Sequence, residues 1–72
     1  MNSEALLELL RRRPFVPFEL RLSNGEIHQV RHPENAIVTK SKLAVSYPET
    51  DRLVVCSLFH VTSYELLSST AA

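Results

Sequence analysis

The chain has 72 residues, eight Lys or Arg against eight Asp or Glu, 44% apolar residues and 22% charged ones. That length fits a single domain, residues 1–72, with a thin stability margin, because so short a chain buries only a modest share of its unfolded surface. The cancelling charge excludes a whole-domain field of the kind that drives non-specific nucleic-acid or membrane binding, and the apolar content is too high for disorder over most of the length.

A helix is expected over residues 2–13. Ser3 can cap it and Glu4 suits the positive end of its dipole, while Leu6, Leu9 and Leu10 recur at i, i+3 and i+4 and Leu7 widens the stripe. Arg11, Arg12 and Arg13 fall where cations favour the carbonyl end, and Pro14 stops the run. About three turns would be marginal alone, so the apolar face needs a sheet to cover it.

The segment 15–35 organises that sheet. Phe18, Leu20 and Leu22 alternate with Glu19 and Arg21, the pattern of a strand buried on one face, and Asn24-Gly25 turns the chain back. A two-residue turn would leave Val30 opposite Glu19 on the polar face. A three-residue turn with Gly25 left-handed pairs Phe18 with Val30, Leu20 with His28 and Leu22 with Glu26, and places Ile27 outside. This second register is the expected one.

Beyond a turn at His32-Pro33, strands are expected at 36–40 and 42–47, the latter with Leu43, Val45 and Tyr47 on one face. After a turn at 48–51, residues 53–59 are apolar except for Ser57, which predicts a strand buried on both faces. Only the helix or a second copy of the chain is available to cover that second face. A bend near Phe59-His60 precedes a last strand at 61–66, and 68–72 should fray.

One helix followed by five or six short antiparallel strands is most economically a mainly β fold, a small SH3-like barrel. The order of elements and Leu20 to Glu26, LRLSNGE, resemble the Sm-like family, which implies a small closed barrel. Val30 stands where that family has a glycine in its second strand. The region of Phe59, His60 and Val61 lacks its second, basic-glycine motif, so the likeness reaches the architecture and not the RNA-binding signature. RPFVPF at 13–18 and VRHPE at 30–34 also resemble short bacterial proteins of unknown function, a likeness that implies no mechanism.

Candidate chemistry is sparse. His28, His32, His60 and Cys56 match no common zinc spacing, so no metal or other cofactor is expected. Cys56 reads as a small core hydrophobe, and Glu34 beside His32 as an acid-base pair lacks a pocket. No enzyme is expected. The leading expectation is a non-catalytic interaction or self-assembly module, a homo-oligomer, with Phe15, Ile27 and Val55 as candidate interface residues. The alternative is an Sm-like RNA binder using Arg11, Arg12, Arg13, Lys40 and Lys42 for phosphate contact. Phe15, Phe18, Phe59, Tyr47 and Tyr64 lack basic interleaving, and most of them suit core packing better than base stacking; after Ile27, Phe15 is the next apolar residue expected outside. A lone cysteine, and a first apolar run that ends in arginines, predict a cytoplasmic protein without a signal peptide or membrane span.

Overall fold

The computed structural model describes residues 2–67; the tail expected to fray, 68–72, lies outside them. The order is α1 (Ser3–Arg11), β1 (Phe18–Leu22), β2 (Ile27–Val30), a 3-10 turn (Pro33–Asn35), β3 (Ala36–Val38), β4 (Lys42–Tyr47), β5 (Arg52–Ser57), a second 3-10 turn (Leu58–His60) and β6 (Val61–Leu66).

The helix is shorter than expected at both ends. Asn2, not Ser3, is the cap: its side-chain oxygen accepts the Ala5 amide at 2.8 Å. At the other end Arg12 has already left helical geometry, with φ −60° and ψ 139°, so Arg11 alone of the three arginines belongs to the last turn. The proline after Arg13 disfavours helical backbone before it, which explains the early exit.

The β1–β2 hairpin adopts the three-residue register, with Phe18 opposite Val30 and Leu20 opposite His28. The Leu22 amide donates to the Glu26 carbonyl at 2.9 Å, and Gly25 takes φ +90°. Ile27 is exposed as expected.

Six strands form two antiparallel sheets, a first of order β2-β1-β6 and a second of order β3-β4-β5. Among the described residues no ladder joins them, so the sheet does not close as expected. The interruptions have local causes. Pro33 has no amide to donate and starts a 3-10 turn where β2 would have run on into β3, and Leu58–His60 separates β5 from β6 in the same way. β3 ends at Val38, short of the expected residue 40, because the Thr39 amide turns back to the Lys42 carbonyl at 2.9 Å.

The two sheets and α1 share one core: Leu6, Leu9, Phe18, Leu20, Leu22, Val30, Ala36, Leu43, Val45, Leu58 and Val61. The arrangement is mainly β with one N-terminal helix, whose leucine stripe covers the core's remaining side. Phe15 was expected near the surface but is half-buried, its ring 6.0 Å from that of Phe18.

Candidate functional site

The outer faces of the two sheets differ in kind. On the first, Arg21 reaches Glu19 at 3.5 Å and Glu65 at 3.4 Å, Gln29 donates to Glu19 at 3.2 Å, and Arg31 donates to Gln29 at 2.7 Å. That face is a solvated polar network.

On the second sheet, alternation places Ile37, Ala44 and Val55 in one cross-strand row and Ser46 and Leu53 in the next. Ile37 is 64% exposed, Leu53 66% and Val55 58%. The expectation that 53–59 is buried on both faces is therefore wrong: α1 packs against β3, and among the described residues nothing covers the outer face of β5. Phe59, expected in the strand and in the core, stands in the following 3-10 turn at 91% exposure. Three large side chains on one sheet face make a contiguous apolar surface of the type that marks a contact site.

The strand carrying this face is also an edge. Among the described residues β5 pairs only with β4. The Leu58 amide donates to Ser41 across the line of the β4–β5 ladder at 2.9 Å, and strand alternation then turns the peptide groups of Leu53, Val55 and Ser57 away from β4. Beyond that edge lies a groove of about 680 Å³ lined by Leu22, Asn24, Glu26, Val54, Cys56 and His60. Burial, with a smaller contribution from Glu26, pushes the Cys56 thiol up, which favours its protonated form at neutral pH.

A polar cluster spans the gap between the sheets. His28 is only 7% exposed, yet both ring nitrogens are satisfied: Nδ1 lies 2.6 Å from the Tyr47 hydroxyl and Nε2 3.1 Å from a Glu26 carboxylate oxygen. A carboxylate only accepts, so Nε2 carries the proton and Nδ1 accepts from Tyr47 when the ring is neutral. Arg52 sits 5.3 Å from the centre of the Tyr47 ring. Burial raises the Tyr47 pKa above its ordinary value; a backbone hydrogen bond at Gln29 and the charge of Arg52 oppose the rise, and Glu26 adds to it. The adjoining groove, about 510 Å³, is lined by these side chains with Ile27 and Gln29. Both nitrogens of His28 are spent on neighbours within the cluster, which is the chemistry of a strut between sheets.

The remaining candidates are scattered. Arg11 lines a surface groove with Glu4 and Glu8, and Arg12 one with Glu8 and Tyr64, so acidic neighbours dilute the helix-end charge. The Arg13 guanidinium donates to the Arg12 carbonyl at 3.0 Å. Lys40 and Lys42 stand exposed at the β3–β4 turn, on a different element. Tyr64 is 45% exposed, beyond what core packing predicts for it. Among the described residues no three His, Cys, Asp or Glu side chains group to hold a metal ion, and no helix is long and apolar enough to cross a membrane.

Comparison with protein-family models, with curated proteins and with solved structures finds no match to this chain.

Proposed function

We propose that the chain is a non-catalytic cytoplasmic self-assembly module, and that its contact surface is the outer face and free edge of β5, with Val55 and Leu53 at the centre. The observation that carries this reading is the contrast between the sheets. One outer face is tied into Arg21, Glu19, Glu65 and Gln29, while the other presents Ile37, Leu53 and Val55 to water. Fully burying a side chain of that size contributes about 1.5–3 kcal/mol, a large sum for a domain of this length. A second copy suits the surface because the chain carries no net charge to hold two molecules apart. In the same reading the sheets and helix make up an SH3-like small barrel of Sm-like order, supported by the shared core and the 3-10 turn before the last strand. Ile27 and Phe15 contribute less: Ile27 lies on the polar sheet and Phe15 packs inward.

Light scattering on the purified chain tests the reading. Assembly at micromolar concentration is expected, and Val55→Asp should abolish it while leaving the circular dichroism spectrum intact, since an exposed position tolerates the charge in the monomer. A strict monomer sinks the proposal. The rival reading, RNA binding through Arg11, Arg12, Arg13, Lys40 and Lys42, predicts salt-sensitive retention of short RNAs on a filter. No retention at low or moderate salt is the expected result.

A further inference from the structure

The geometry points to an antiparallel pairing of β5 with β5 of a second copy, centred on Val54, that fuses the two second sheets into one continuous six-stranded sheet. This rests on the self-assembly reading above and adds to it the partner strand, direction and register.

Two-fold pairing of a strand with itself places residue i opposite a residue of the second copy such that their numbers have a fixed sum. Strand pleating demands that opposed residues share a face, so the centre must fall on a residue and not between two. Three centres lie on Leu53, Val55 or the residue between them, where the exposed apolar pair can meet its mate. Centring on Leu53 sets Val55 against the charged Asp51, and centring on Val55 sets Leu53 against Ser57 and Asp51 against Phe59. Centring on Val54 sets Leu53 against Val55 and Val55 against Leu53, so both exposed apolar residues meet apolar partners.

The flanking rows agree with that choice. Lys42 stands opposite Ser57 in the β4–β5 ladder. With Val54 at the centre, the turn residue Asp51 of the second copy, at φ 56°, comes level with Ser57, so polar residues stand at each end of the apolar block. The row through Ile37, Ala44 and Val55 then continues into Leu53 of the second copy. The peptide groups also fit. Those of Leu53 and Val55 face the free edge, so each opposed Leu53–Val55 pair exchanges two backbone hydrogen bonds. Val54 meets Val54 of the second copy as the closer, non-hydrogen-bonded pair, on the side of the groove lined by Leu22, Glu26 and Cys56.

Two measurements test the register. In a Cys56→Ser background, Val54→Cys should oxidise to a covalent dimer, because the opposed Cα atoms would lie about 4.5 Å apart, within disulfide reach. Ser57→Cys in the same background should not, since its mate lies roughly 20 Å along the strand. In the unaltered chain, amide exchange at Leu53 and Val55 should slow by about tenfold or more between dilute and concentrated samples, which keeps the test alive if the cysteine variants fold poorly. An assembling chain with fast exchange at those two amides, or with Ser57→Cys cross-linking and Val54→Cys not, overturns the register and leaves self-assembly standing. A chain that stays monomeric overturns both.

Discussion

His28 on β2 and Tyr47 on β4 join the two sheets through a 2.6 Å hydrogen bond between Nδ1 and the phenolic hydroxyl. Among the described residues no ladder does this work, so a side-chain pair takes the place of backbone pairing across the gap. The bond is short and one partner is buried, which makes it costly to leave half made.

Tyr47→Phe removes the hydroxyl and strands Nδ1 of His28 in a buried site. Destabilisation of roughly 1–3 kcal/mol is expected, read as a lower urea midpoint at unchanged slope. The double substitution His28→Leu with Tyr47→Phe should cost less than the two single changes added together, because no polar atom is then left without a partner. Additive costs would show that the pair is not coupled.

The same hydroxyl and the Cys56 thiol should make the fold less stable at alkaline pH. Both are acids whose folded-state pKa is raised, so the folded chain holds each proton more tightly than the unfolded one. Their contribution is fully present below the unfolded values, about 8.5 for the thiol and about 10 for the phenol, and is lost as pH rises through the folded ones. Thermal midpoints should therefore fall in two stages above about pH 8.5. Cys56→Ser should remove the lower stage and Tyr47→Phe the upper; an unaltered profile in both variants would contradict the assignment.

The local pattern of the chain carried much of this fold. Asn24-Gly25 and the alternation through Val30 suffice to choose the hairpin register, and the bounds of β4 and β6 follow from their flanking turns. The strut was legible only in its parts: His28 falls on the inner face of β2 opposite Leu20, and Tyr47 shares the inner face of β4 with Val45 and Leu43, but their meeting depends on how the sheets pack. What periodicity does not contain is cover. It tells which residues of 53–59 lie together, but whether anything packs on Leu53 and Val55 depends on where α1 docks, which is a long-range matter. The helix end at Arg11 was hidden for a smaller reason, since arginines favour a helix terminus whether or not the backbone continues.

Gly25 offers a test of backbone conformation free of packing. Its φ is +90°, and a methyl group added there meets nothing within 4 Å. Gly25→Ala should therefore cost about 1–2 kcal/mol through conformation alone, and Gly25→Asn less, since asparagine tolerates positive φ better. Equal stability for the glycine and alanine forms would mean that the turn relaxes to another type, which the exposure of Ile27 would report by changing.

Leu6→Ala separates the covered face from the open one. Leu6 is fully buried in the shared core, and truncating it leaves a cavity as well as losing transfer energy, a cost of about 2–5 kcal/mol. A domain this small has on the order of 5 kcal/mol of stability, so the variant should be substantially unfolded near 37 °C. Leu53→Ala, removing the same atoms from an exposed position, should shift the monomer's urea midpoint by under about 0.5 kcal/mol equivalent and weaken assembly. Measured in the Val55→Asp background, where assembly is absent, the two leucines should differ by several-fold in their effect. A large loss from Leu53→Ala there would mean that β5 is covered within the single chain after all.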